Sequence, residues 1–350
     1  MTRASKRRWQ VRLLYVGLFV VGFGVWELGL RVLWHNPYAR EPADHVLRLP
    51  IHHPNTDHIV DRSATYPDSP TSRFRTGPRS YILPSFQYED PDATVVFLGG
   101  STTAASAVRE HLRFPALISE YFAGEGLEVN TLNAARWAGT SHDALNMIVN
   151  HVVLDEPDVI VIMNSGTDQA LLTGAGSYAL RMGDFVGPLD LARWSLQLMS
   201  SRSYVAGLLR NNITARTQPA RRGFAMLGPD GPEKDVPIEK FEARLRAFVG
   251  ITRAFGIVPV MVTEPLVRYD DNHQLFNERI RIVGRDTNAQ VIDLANHIEN
   301  ETPGWDTPMT VFYDGVHVSE DGSVMYADYL FEHLLPLVRE VARKRSEARP

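Results

Sequence analysis

The chain has 350 residues, of which 44% are apolar and 22% are charged, and these proportions exclude a wholly disordered protein. It contains no cysteine, which excludes a thiolate nucleophile, a disulfide framework and any zinc or iron–sulfur site with cysteine ligands. The formal net charge of -5 argues against a general nucleic-acid-binding protein, so we expect no nucleic-acid partner.

The N-terminal segment combines a basic tip with a long apolar run. Residues 1–12 hold five Lys and Arg side chains and no acid, and we predict that they form a basic cytoplasmic tip. Residues 13–34 are mostly apolar and reach the length that crosses a bilayer, with Glu27 and Arg31 spaced to pair on one helix face. We therefore predict a single transmembrane anchor in the cytoplasmic membrane. The positive-inside rule then places the rest of the chain on the extracytoplasmic (periplasmic) side.

Two other interpretations of this segment stay open. A cleaved signal peptide would show the same basic and apolar regions, although no A-x-A-like cleavage site follows Trp26. A buried core helix would explain the apolar run, but it would not explain the basic flank.

Residues 35–90 are rich in Pro, His, Asp, Ser and Arg and have weak periodicity, so we predict a stalk and a lead-in to the main domain. Three histidines and one acid in this stretch could suggest a metal site. They are His52, His53, His58 and Asp57. Because no regular element fixes them, we interpret them as part of a solvated linker, and we predict no metal and no cofactor.

From residue 93 onward, short apolar runs alternate with helical patterns. The predicted strands are 93–98, 128–132, 158–163, 257–263 and 290–294. The predicted helices are 115–122, one that begins at the capping pair Thr140 and Asp143, 238–255, 274–283 and 323–341. This alternation predicts an α/β fold over residues 91–340, a three-layer α/β/α sandwich around a mostly parallel sheet.

Two stretches stand apart from this rhythm. Residues 170–235 contain Gly, Arg and Pro but no clear strand, and we interpret them as an insertion that forms a lid or a rim over the site. Residues 341–350 form a charged tail that we expect to fray.

A candidate nucleophile follows the first predicted strand of this domain. Gly99 and Gly100 allow a sharp turn, and Ser101 comes directly after them. The turn would place the hydroxyl at the carboxyl edge of the sheet, where ligands bind in such folds, beside backbone N–H groups free to face an anion. The alternative is an ordinary serine cap on a glycine turn.

A second segment supplies a candidate base. Asp314 and His317 lie three residues apart on one predicted loop. A serine hydroxyl is a poor nucleophile until a positioned base removes its proton, and a carboxylate can orient an imidazole for that task. His317 is therefore the candidate base and Asp314 its orienting partner. The alternative is a loop histidine that is hydrogen-bonded to backbone.

Two further loops should reach the same edge of the sheet. Gly139 lies just before a predicted helix, where its N–H could serve a tetrahedral oxyanion. Asn164 and the residues up to Asp168 follow the strand 158–163. The alternative for both loops is ordinary connection between strands and helices.

Taken together, these segments resemble the SGNH hydrolase family, also called GDSL-type esterases and lipases. Gly99-Gly100-Ser101 resembles the block that carries the family's nucleophile, Gly139 falls at the glycine of the second block, and Asp314-x-x-His317 matches the last block. The resemblance covers residues 90–340 and implies the flavodoxin-like fold of that family. The apolar N-terminus is similar to that of membrane-anchored bacterial members.

One block departs from the family pattern. Counted without a gap from Pro157, the third block falls on Ser165 to Asp168, so Thr167 stands where the family has the asparagine that donates to the oxyanion. A threonine hydroxyl can donate a hydrogen bond but reaches less far than an amide. Asn164 is the alternative amide donor. A shift of one residue would align Gly166 and put Asp168 at that position, where its negative charge would repel the oxyanion, so we prefer the ungapped count.

The resemblance implies a serine esterase or acylhydrolase that uses Ser101, His317 and Asp314. Backbone N–H groups of Ser101 and Gly139, together with Thr167, would bind the oxyanion. The expected substrate is an O-acyl ester of a lipid or a cell-envelope glycan. Two alternatives remain: an O-acyltransferase that modifies an extracellular polysaccharide with the same triad, and a catalytically silent protein that binds or assembles glycans.

Overall fold

A computed structural model describes residues 3–34, 51–176, 178, 196, 199–200, 202–217, 236–266, 271–302 and 310–348. The chain divides into two units. The smaller is made of Met1–Arg48 and Ala179–Gly231, and the larger of Leu49–Tyr178 and Pro232–Pro350.

The larger unit is built on parallel strands. In chain order, its described strands are β1 (Asp57–Asp61), β2 (Thr71–Arg75), β3 (Ala93–Gly99), β4 (Val129–Asn133), β5 (Val159–Met163), β6 (Val258–Val262) and β7 (Gln290–Ile292). The last five form one sheet in the order β4-β3-β5-β6-β7, and every neighbouring pair is parallel. The predicted parallel sheet is confirmed.

Helices cover both faces of this sheet, because its central strands are apolar on both sides. In β3, Val95 and Phe97 pack on one layer, whereas Val96 and Leu98 pack on the other. The first layer contains the helices Phe114–Gly124, Leu294–Glu301 and Glu320–Ala348. The second contains Ser141–Asn150, Ser165–Ala175, Ile238–Ala254 and Asp271–Thr287. The result is the predicted three-layer α/β/α sandwich.

The segment predicted as a stalk and lead-in differs from the structure where it is described. Within it, β1 and β2 pair as an antiparallel hairpin, and Ile82 forms an isolated bridge to Asn133 at the end of β4. Phe74, Tyr81 and Ile82 are buried. Residues 51–90 therefore belong to the larger unit. Residues 35–50 lie outside the described residues.

The histidine-rich stretch is packed rather than solvated at one position. The His52 ring makes edge contacts with Phe74 and Trp137, and its Nε2 lies 3.0 Å from the carbonyl oxygen of Ala135. Burial lowers the pKa of His52 to about 4, so its imidazole is neutral at pH 7. The described residues contain no group of three or more His, Asp or Glu side chains placed to hold a metal ion.

The smaller unit contains the helix Arg3–Leu33. Its segment Arg12–Leu33 is long and apolar enough to cross a membrane, and none of that apolar stretch is buried. A signal sequence meets the same criteria. The predicted pair is present, with Arg31 Nε 3.3 Å from Glu27 Oε1. The same carboxylate accepts hydrogen bonds from the start of a second helix, Tyr204–Thr217.

The predicted insertion at 170–235 is described only in part, and the predicted frayed tail at 341–350 is mostly helical. Most of the predicted insertion at 170–235 lies outside the described residues, and the helix Tyr204–Thr217 is its longest described element. The tail was expected to fray from residue 341, but the last helix continues to Ala348. Arg343 pairs with Glu340 and Glu347 along this extension, which supports the helical conformation.

Candidate active site

Ser101 begins a short helix directly after β3. The turn before it needs glycine because other chain segments approach its backbone closely. A Cβ atom on Gly99 would lie 2.8 Å from the carbonyl oxygen of Met163, and one on Gly100 would lie 2.6 Å from Thr167 Oγ1. The close approach explains why the sequence has two glycines at this point. It also shows that this turn, Gly99 to Ser101 (the nucleophile turn), lies against the segment after β5.

The topology brings these loops together. The chain runs from β3 to β4 on one side of β3 and then crosses to β5 on the other side. In such sheets, ligands bind beyond the carboxyl ends of the strands at the point where the strand order reverses. Gly99 pairs with Met163 in the register of β3 and β5, so the loops after both strands start at the same level.

His317 reaches this point from the far end of the chain. Its Nε2 lies 2.8 Å from Ser101 Oγ although 216 positions separate the two residues in sequence. Its Nδ1 lies 2.7 Å from Asp314 Oδ2. A carboxylate can only accept, so Nδ1 carries the proton and the Nε2 lone pair faces the serine hydroxyl. The structure thus brings the three predicted triad residues into one hydrogen-bonded path.

Asp314 is fixed by its own loop. Its Oδ1 accepts the backbone N–H groups of Val316 at 2.8 Å and His317 at 2.6 Å. Partial burial alone would raise the pKa of Asp314, but these hydrogen bonds and the one from the His317 ring hold it below its usual value. The carboxylate therefore stays ionised at neutral pH and is available to stabilise an imidazolium.

Two basic residues of the larger unit anchor the end of this loop. Glu320, three residues after His317, lies 2.6 Å from Arg62 Nη1 and 2.7 Å from Arg109 Nη2. The Arg62 side chain is buried and also donates to the carbonyl oxygen of Ala107 at 2.7 Å. Arg62 directly follows β1, so the hairpin that the sequence suggested was a stalk supports the loop that carries the candidate base.

Gly139 lies where the sequence placed it, but its N–H has a partner. That N–H donates to the carbonyl oxygen of Arg136 at 2.9 Å. A Cβ atom on Gly139 would be 2.8 Å from the carbonyl oxygen of Gly99, so the residue lies against the nucleophile turn. The predicted oxyanion donation from Gly139 is therefore not available in this conformation. The N–H of Ser101 lies in the first turn of a helix, where amides have no acceptor within the helix.

Two candidate residues lie at the start of the segment after β5, Asn164 just before the helix Ser165–Ala175 and Thr167 in its first turn. Thr167 Oγ1 would lie 2.6 Å from a Cβ on Gly100, so this hydroxyl lies beside the nucleophile turn. Asn164 is buried, and its Nδ2 donates to the carbonyl oxygen of Gly139 at 2.9 Å, so this amide joins two loops. Of the two side chains, that of Thr167 lies against the turn before Ser101, whereas the amide of Asn164 is already used by Gly139.

Asp168 points the other way and is fully buried. It accepts the N–H of Ser141 at 2.8 Å and the Ser141 hydroxyl at 2.5 Å, and it also bonds the hydroxyl of Tyr178. Burial raises the pKa of Asp168 to about 7, even though these hydrogen bonds favour the ionised form. Asp168 is therefore held in the interior, whereas Thr167 is partly exposed.

Two residues near the triad were not found from the sequence. The Tyr313 ring stacks on the His317 ring, with centroids 5.7 Å apart and planes 12° apart. Glu264 lies just beyond β6 and is buried beside the nucleophile turn. The signal for Glu264 was an acidic residue at the carboxyl end of a strand that is otherwise apolar.

Several solved structures of esterases are similar to this chain at low sequence identity. The chain is similar to the lipase/acylhydrolase from Enterococcus faecalis, with 18% identity, a TM-score of 0.44 and coverage of 69% of this chain and 95% of that one. For an acetyl xylan esterase the identity is 17% and the TM-score 0.46, with coverage of 68% of this chain and 98% of that one. For an acetylxylan esterase from Geobacillus stearothermophilus the identity is 15% and the TM-score 0.45, with coverage of 69% of this chain and 94% of that one. No protein-family model matches the chain, and no curated protein matches it.

Proposed function

We propose that this chain is a serine ester hydrolase that cleaves an O-acyl ester of a lipid or of a cell-envelope glycan. The observation that carries the proposal is the continuous path from Ser101 Oγ through the His317 ring to Asp314, with steps of 2.8 Å and 2.7 Å. A hydroxyl, an imidazole in the required tautomer and an ionised carboxylate are the three groups that activate a serine for attack on a carbonyl.

The proposed reaction has two halves. Ser101 Oγ attacks the acyl carbonyl carbon while His317 Nε2 takes the hydroxyl proton, and a tetrahedral intermediate forms. When the intermediate collapses, the ester C–O bond breaks and His317 returns the proton to the leaving alcohol. Water then attacks the acyl-serine with the same proton transfers, which releases the carboxylic acid and restores Ser101.

The oxyanion of each intermediate needs hydrogen-bond donors near Ser101. In our proposal the N–H of Ser101 and the hydroxyl of Thr167 supply them, because the N–H lies at the turn after β3 and the hydroxyl lies against that turn. Gly139 would add its N–H only after releasing the carbonyl oxygen of Arg136.

The test compares the wild-type chain with Ser101→Ala, using turnover of a chromogenic acetyl ester and labelling by a serine-directed organophosphonate. The control is Ser119→Ala, which removes a buried hydroxyl that donates to the carbonyl oxygen of Val129 at 3.0 Å, away from the turn after β3. We expect turnover and labelling to vanish in Ser101→Ala and to persist in the control. Equal turnover in both variants would refute the nucleophile.

We further propose that the apolar helix anchors the chain in the cytoplasmic membrane with its larger unit outside. The length and exposure of Arg12–Leu33 and the basic residues before it support this orientation. Protease added to intact spheroplasts should digest the larger unit. Full protection until the cells are opened would contradict the orientation without affecting the catalytic proposal.

A further inference from the structure

Glu264 is a buried carboxylate that the proposed reaction does not use. Only 2% of its surface is exposed, and His317 is the one charged group of the described residues whose field lowers its pKa, without an ion pair to it. Burial of a carboxylate without a cation is costly, and burial raises the pKa of Glu264. Such a residue requires a compensating set of hydrogen bonds.

Those hydrogen bonds come from the two turns that form the candidate site. Oε1 accepts the hydroxyl of Thr102 at 2.5 Å, and Thr102 is the residue after the nucleophile. Oε2 accepts the backbone N–H of Gly166 at 2.7 Å, and Gly166 is the residue before Thr167. One side chain therefore links the neighbour of Ser101 to the neighbour of the candidate oxyanion donor.

Glu264 is itself held from behind. Its backbone N–H donates to Asn277 Oδ1 at 3.0 Å, and its carbonyl oxygen accepts from Asn277 Nδ2 at 3.0 Å and from His273 Nε2 at 2.6 Å. All three residues are buried. The backbone of Glu264 cannot shift without breaking these hydrogen bonds. Its carboxylate is therefore a fixed acceptor for Thr102 and Gly166.

We propose that Glu264 is a positioning residue for the ester hydrolase reaction, and that it sets the spacing between Ser101 and Thr167 through its hydrogen bonds to Thr102 and Gly166. This inference rests on the proposed function. A misplacement of reacting groups by about 1 Å can slow a reaction about a hundredfold. A change in the distance between Ser101 and Thr167 should therefore slow the chemical step. Ground-state binding of the ester should change little, because Glu264 is buried behind the turns.

The test uses two substitutions at Glu264 in the full-length chain. Glu264→Met keeps the side-chain length but leaves the Thr102 hydroxyl and the Gly166 N–H without an acceptor, so we expect kcat to fall by at least about tenfold with KM within twofold of wild type. Glu264→Gln keeps an acceptor for the Gly166 N–H and can donate to Thr102, so we expect kcat within about threefold of wild type.

The control is Asn130→Leu, which removes a buried side chain that bonds only the backbone of Tyr88 near the start of β4. It should lower the melting temperature while kcat stays at the wild-type value. This separates loss of stability from loss of positioning.

Thr102→Val is a second probe in case Glu264→Met does not fold. It removes the hydrogen bond to Oε1 with little change of shape and should lower kcat at constant KM. The inference is overturned if folded Glu264→Met, or Thr102→Val, keeps wild-type kcat, or if Glu264→Gln loses as much kcat as Glu264→Met. Absence of turnover in the wild-type chain would instead refute the proposed function itself.

Discussion

Gly100→Ala tests whether Thr167 serves the nucleophile turn. The added Cβ would lie 2.6 Å from Thr167 Oγ1, whereas ordinary contact starts at 3.4 Å, so the hydroxyl must move by about 0.8 Å or rotate away. The atom that must yield is the end of a side chain, so we expect the free energy of unfolding to fall by only about 1 kcal/mol. Loss of one oxyanion donor costs about 2.7–4 kcal/mol in the barrier, so kcat should fall by about a hundredfold or more.

A double-mutant cycle separates the displacement of Thr167 from any other effect of the methyl group added at Gly100. Thr167→Ala should lower kcat by a similar factor, and Gly100→Ala in the Thr167→Ala background should cost little more because the clash is gone. The matched control is Gly124→Ala, where nothing lies within 4 Å of the added Cβ, and kcat should not change. Ester turnover and urea unfolding of the full-length chain measure both quantities. Fully multiplicative losses in the double variant, or wild-type kcat in Gly100→Ala, would refute a role for Thr167.

Two other carboxylates have measurable consequences. Asp168 has a pKa of about 7 in the folded chain against 3.8 for a free Asp, so its contribution to the free energy of unfolding is fully present below about pH 4 and is lost as the pH rises through about 7. Asp168→Asn should remove up to about 4 kcal/mol of this decline in the free energy of unfolding. Urea unfolding at a series of pH values measures it, and an unchanged dependence on pH would contradict the raised pKa of Asp168. Glu27 accepts the N–H groups of Tyr204 at 2.8 Å and Val205 at 3.1 Å, so Glu27→Ala should speed amide exchange at the start of that helix by about fivefold, as expected for a lost cap of ~1 kcal/mol. Glu27→Gln should lie in between, and equal exchange in all three chains would rule out the cap.

The parts of the fold that follow local chemistry were predictable. The strands of the central sheet read as short apolar runs because both faces of a parallel sheet are covered by helices, and β5 is buried along its whole length. Ser101, Asp314 and His317 were identifiable because a glycine turn, a nucleophile and an Asp-x-x-His loop each leave a local pattern. The order of those patterns along the chain then indicated a common edge of the sheet.

The parts that depend on distant partners were not predictable. The hairpin of β1 and β2 has an exposed, charged face, including a salt bridge between Arg73 and Asp57 of 2.5 Å, so its sequence resembles that of a solvated linker. Gly139 was expected to present its N–H to the oxyanion, but the local turn to Arg136 already uses it. Glu264 could not be assigned a partner because Thr102 and Gly166 precede it by about 160 and 100 positions in sequence.

Two buried carboxyl groups hold the neighbours of Thr167, the residue that we propose as an oxyanion donor. Thr167 lies between Gly166, whose N–H is held by Glu264, and Asp168, whose carboxylate is held by Ser141. Both neighbours are therefore held, which fixes the backbone of Thr167 beside the turn before Ser101. The raised pKa values of Asp168 and Glu264 show that both carboxylates are buried at a cost.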